Sequence, residues 1–151
     1  YESLYNRNSA TSVIANNLAS LLSTLRDDEE SIERAYRIAR RLRDSDFAPY
    51  QDTYGWIAFR RGDLDEALRN LEPAAEALAD DPLVQYHLGM TYARLNMLEK
   101  ALPQLEKTIA LAIGDARPQF QTARSELLKV KEKLEQERLA AQAEAEPTKP
   151  E

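Results

Sequence analysis

The chain has 151 residues, the length of about one domain, with 20 Lys and Arg against 26 Asp and Glu and a net charge of −6. One His, no Cys and four scattered Gly exclude a disulfide framework, a Cys-based zinc site and a Gly-rich phosphate loop. The acidic balance argues against a protein that wraps nucleic acid, and no apolar run approaches the ~20 residues of a membrane span.

In chain order, residues 1–6 read as the tail of a preceding helix, with a linker to residue 11. Tyr1 stands where a Met would start a chain, so the sequence reads as an excised or processed fragment. Apolar residues at i, i+3 and i+4 spacing predict helices over 10–25, 28–43, 49–61, 64–79, 82–95 and 98–112. Asp63 and Glu66 have capping-box spacing. Pro73 lies deep in its segment and is expected to kink or shorten that helix. Asp81 is placed to cap the helix opened by Pro82, and Gly114 to end the last short one. Residues 116–143 predict an amphipathic cap, with Phe120, Leu127, Val130 and Leu134 on one stripe. Residues 144–151 predict a flexible tail.

The acidic excess is uneven. Residues 1–115 carry 13 basic and 19 acidic groups, while residues 116–151 carry 7 of each. The acidic part also repeats itself. Gly55 and Gly89 are 34 residues apart, and Tyr54/Leu88, Gly62/Asn96, Ala67/Ala101 and Leu71/Leu105 match at the same offset. Gly62 and Asn96 are both residue types that tolerate positive φ. A degenerate copy lies upstream, with Ala19, Ser31 and Ala35 in the corresponding places. Its 36-residue offset puts two extra residues near Arg43–Asp46.

Matching small residues and helical spacing at this period resemble the tetratricopeptide repeat. Leu88, Gly89, Tyr92, Ala101 and Leu105 fit its pattern, as do Gly55, Ala67, Leu71 and Ala74. Thr108, Ala58, Ser31 and Ile38 depart from it, and Ala15, Gln51 and Gln85 stand where it has Trp. The resemblance implies an all-α, right-handed solenoid of about three helix pairs (12–47, 48–81, 82–115) with a C-terminal cap. The segments 16–22 and 52–57 resemble bacterial members, some of them lipoproteins linked to polysaccharide and surface-protein export. That implies a cell-envelope location, with the cytoplasm as alternative.

In this family the first helix of each pair lines a concave groove. The residues implied there are Asn16, Ser20, Asp52, Trp56, Phe59, Arg60, Tyr86, His87, Met90 and Arg94. Trp, Tyr, Arg and Met suit a peptide-binding surface. Trp56 and Phe59 either line the groove or pack between helices. If they line it, Trp56→Ala weakens binding with little loss of folding. Asp52 disfavours a carboxylate ligand, and it is placed to neighbour His87. A Ser20–His87–Asp52 triad can be drawn on paper, but no nucleophile elbow or oxyanion hole accompanies it, so catalysis is not expected. No cofactor, metal or nucleic-acid partner and no membrane insertion are expected. The run Arg34, Arg37, Arg40, Arg41 and Arg43 reads as a solvated face balanced by Asp27, Asp28, Glu29, Glu30 and Glu33. The expected function is a non-catalytic protein-interaction scaffold or adaptor that binds a peptide or protein. The alternatives are self-association into a homo-oligomer through residues 1–25 and the last helix, or a regulatory arm of a larger enzyme or export complex.

Overall fold

The structure, a computed structural model, describes residues 1–8 and 11–145. These form eight α-helices and no strand among the described residues: α1 Glu2–Arg7, α2 Ser12–Leu25, α3 Glu29–Ala39, α4 Ala48–Arg61, α5 Leu64–Ala77, α6 Pro82–Arg94, α7 Leu98–Leu111 and α8 Pro118–Ala145. The last residues of the expected tail, 146–151, lie outside the described ones, while Glu144 and Ala145 belong to α8.

Helices pack most closely in sequential pairs, α4 with α5, α6 with α7 and α2 with α3. α8 lies on α7 and reaches α6. In two of the pairs a residue at positive φ reverses the chain, Gly62 at φ 86° before α5 and Asn96 at φ 56° before α7; α3 follows α2 through extended backbone at Arg26 and Asp28. Two glycines bring the paired helices together. A Cβ on Gly55 would stand 2.7 Å from Leu71 Cγ, and one on Gly89 would stand 2.8 Å from Leu105 Cδ2. The upstream copy has Ala19 in that place, fully buried.

Several expectations are corrected. The helix expected over 28–43 stops at Ala39 and tightens into a 3-10 turn at Arg40–Leu42. Asp63 and Glu66 form no capping box: Asp63 binds Arg61 at 3.0 Å, and Glu66 meets Arg43 and Arg69. These guanidinium partners outcompete the backbone N–H groups for the two carboxylates. α5 carries Pro73 inside it and ends at Ala77, two residues short of the expected 79; the ring sits on the exposed face, where water can serve the freed carbonyl. Asp81 does cap α6, accepting from Leu83 N at 2.9 Å and Val84 N at 3.3 Å.

The core has two clusters. One joins Ala15, Leu18, Ala19, Leu22, Ala35, Ile38, Ala39 and Leu42 to Tyr54 and Ile57. The other runs from Trp56 and Phe59 through α5, α6 and α7 to Phe120, Ala123 and Val130. α4 serves both by turning opposite sides to them.

Candidate functional site

The expected groove residues fall into two groups, buried and accessible. Trp56, Phe59, Tyr86 and His87 are 7%, 6%, 6% and 3% exposed. They form a ladder across α4 and α6. Trp56 stacks on Phe59 at 4.6 Å and on His87 at 4.2 Å, and it tilts against Tyr86 at 5.6 Å. Tyr86 meets the edge of Phe120 at 6.5 Å, which carries the ladder into α8. Helical geometry explains the order: Trp56 and Phe59 are three residues apart on one face of α4, while Tyr86 and His87 face them from α6. Offset and edge contacts of this kind hold helices in register. Trp56 and Phe59 therefore pack between helices, with only their rims open.

His87 Nδ1 lies 2.8 Å from Asp52 Oδ1, the neighbour its sequence spacing suggests. With its ring against Trp56 and its Nδ1 on a carboxylate, His87 clips α6 to α4. Among the described residues, no group of three or more His, Cys, Asp or Glu is placed to hold a metal.

Arg60 makes a second clip. Its guanidinium donates to Ser23 O at 2.8 Å, Arg26 O at 3.1 Å and Asp27 Oδ1 at 2.9 Å. These carbonyls belong to the open C-terminal turn of α2, where a cation is favoured by the helix dipole. Gln85 does the same for α5, donating to Ala75 O at 2.9 Å and Leu78 O at 3.0 Å, and it accepts from Gln104 Nε2 at 2.6 Å. Sequence reasoning marks Gln85 only as a departure from a pattern. Its value lies in partners ten and nineteen residues away, which composition does not reveal.

Trp56, Arg60, Tyr86 and His87 meet at a hollow of about 260 Å³, walled also by Thr24, Asp27, Pro118, Gln119 and Thr122. Four helices contribute to it. Burial pushes the Tyr86 hydroxyl above its ordinary value, offset in part by Arg60 and Thr122. Gln119 Oε1 is buried beside the hollow without a hydrogen-bond partner. The wall from α8 is missed by the sequence reading, which takes this helix only as a lid. The signal was present: Pro118, Gln119, Thr122 and Ala123 follow Val84, Gln85, Leu88 and Gly89 at 34 residues, and Ala123 is fully buried.

The accessible group comprises Asn16, Ser20, Asp52, Met90 and Arg94. Arg94 is exposed and lies 5.3 Å over the Phe59 ring. Asn16 and Ser20, on α2, do not line the hollow. The basic run is largely engaged: Arg34 binds Glu2 at 2.7 Å, Arg43 meets Glu66 at 3.5 Å and Arg41 contacts Tyr5 Oη. Among the described residues, no helix is long and apolar enough to cross a membrane.

No family model matches the chain, and no curated protein matches it. It is similar to a solved chain from a T3SS complex of Aeromonas hydrophila, with a TM-score of 0.62 and 20% identity over 87% of this chain and 90% of that one. At that identity the likeness is one of fold.

Proposed function

We propose that the chain is a non-catalytic protein-binding module of the tetratricopeptide type. In this reading its three helix pairs stack as a right-handed solenoid, closed by α8, and hold a segment of a partner protein. The hollow shared by α2, α4, α6 and α8 carries the proposal. Its aromatic ladder and its two clips fix neighbouring helices, so little ordering entropy is left to lose on binding. Contacts to the partner then come from accessible side chains of the same helices outside the hollow, Asn16 and Ser20 on α2, Asp52 on α4, and Met90 and Arg94 on α6. The buried ladder acts as their support. A surface of this size fits a micromolar complex, about −8 kcal/mol.

The placement of His87 against Asp52 and Trp56 supports a structural use of the one histidine. The similar chain from Aeromonas hydrophila comes from a T3SS complex. Together with the 16–22 and 52–57 segments, this favours a partner in protein export.

The test is binding of the purified chain to arrays of overlapping peptides from export-associated proteins, followed by titration of the best peptide. Arg94→Glu is expected to weaken that binding about tenfold, or about 1.4 kcal/mol, while Arg37→Glu on the exposed side of α3 leaves it unchanged. Equal losses in both variants, or none in either, overturn the assignment.

A further inference from the structure

α2 has no ionisable side chain in 14 residues, in a chain that is 30% charged. Its buried residues, Ala15, Leu18, Ala19 and Leu22, serve the core. Its outer side carries Val13, Asn17, Leu21 and Leu25 at successive i+4 steps, which form one continuous ridge. Val13 is 56% exposed, Leu21 40% and Leu25 70%. α1 packs on α2 and leaves Tyr1 and Leu4 more than half exposed. The outer face of an edge helix is normally charged, and an uncharged ridge with three exposed apolar side chains in its place marks a contact surface.

We propose that this ridge pairs with the same ridge of a second copy, antiparallel, about a two-fold axis. A two-fold contact sets a patch against itself, so any charge at its centre meets its like. An uncharged ridge satisfies that condition. The two ends of the helix differ in charge. The C-terminal end of α2 leads through Arg26 into Asp27, Asp28, Glu29 and Glu30, a net charge of −3 over these five residues, whereas Arg7 closes α1 five residues before α2 begins. Antiparallel pairing brings Arg7 of one copy toward the acidic end of the other and opposes the two helix dipoles. Parallel pairing would set the acidic ends side by side. A helix of 14 residues is about 21 Å long, too small a face for the ~800 Å² per partner of a standard interface, so the dimer belongs to the weak, micromolar class.

Sedimentation velocity of the purified chain, from micromolar to submillimolar concentration, is expected to show a monomer passing into a dimer. Leu21→Glu should raise the midpoint at least tenfold, and Leu128→Glu, on an exposed part of α8, should not move it. Because the chain has no Cys, single cysteines report orientation cleanly. In the antiparallel pair Val13 of one copy lies beside Leu25 of the other, while the two Val13 residues are about 18 Å apart along the axes. A short bismaleimide should therefore join Val13→Cys to Leu25→Cys in a mixture and join neither variant to itself. A monomer at all concentrations overturns the proposal and assigns the ridge to a different chain or segment. So does self-linking of either variant, or a dimer dissolved by Leu128→Glu and not by Leu21→Glu. The cysteine result stands even if Leu21→Glu proves unfolded by circular dichroism.

Discussion

The N-terminal and C-terminal clusters are both packed from paired helices, by different means. Both are rich in alanine, four of ten buried residues in the N-terminal one and eight of nineteen in the C-terminal one, but the N-terminal one has Tyr54 as its one buried aromatic. The C-terminal one contains Trp56, Phe59, Tyr86, Tyr92 and Phe120. Aromatic side chains bury far more surface than alanines and add specific ring contacts. Ion pairs occur in both regions, such as Arg34–Glu2 and Arg61–Glu33 in the first and Lys100–Glu72 and Lys131–Glu106 in the second, and exposed pairs of this kind are each worth little. Stability is thus distributed unevenly along the helical chain, and the end with one buried aromatic is the one expected to open first.

The largest expected effect lies at the hinge between the clusters. Trp56→Ala removes the centre of the aromatic ladder and should cost about 3–5 kcal/mol, read as a fall in the urea midpoint by circular dichroism. A loss below about 1 kcal/mol would mean that Trp56 sits on a binding surface and that the two clusters differ less than their compositions suggest. Next come the close approaches. Gly55→Ala and Gly89→Ala each force a methyl against a buried leucine and should cost about 1–3 kcal/mol in the same assay. Ala19→Gly, at the matching place in the looser pair, should cost about 1 kcal/mol through helix propensity. Equal losses at all three would erase the distinction between tight and loose pairs.

Arg60→Met removes the clip between α2 and α4. The expected loss is about 1.5 kcal/mol, with hydrogen exchange rising first in the last turn of α2. If exchange rises equally in α6 and α7, the two regions unfold as one.

The last effect is the share of the alkaline response that the N-terminal cluster supplies through Tyr54, beside the raised hydroxyls of Tyr86 and Tyr92 in the C-terminal cluster. Burial, with Tyr36 beside it, pushes the Tyr54 hydroxyl from 10.0 up to about 12. A raised value in the folded state means that the neutral phenol is favoured there. Its contribution to stability is therefore complete below about pH 10 and is lost as pH rises through about 12. Tyr54→Phe should flatten the dependence of the thermal midpoint between those limits. An unchanged slope would place the alkaline response elsewhere.

What the residues alone determine is local. The 34-residue offset, the turn residues Gly62 and Asn96, the Asp81–Pro82 helix start and the helical spacing are properties of one or two turns of chain, and each is visible without a partner. The Asp52–His87 neighbourhood is what the family resemblance implies, since it turns both residues toward one groove. What tertiary structure decides is the use of side chains with more than one possible partner. Trp56 and Phe59 satisfy groove and core equally well on paper, and only the approach of α6 encloses them. Arg60 looks like a ligand-binding cation until the end of α2 presents its open carbonyls. Asp63 and Glu66 have the spacing of a cap, but arginines brought close by folding take both carboxylates. The physical reason is the same each time: helix formation depends on near neighbours, whereas the fate of a long polar or aromatic side chain depends on which surface arrives beside it.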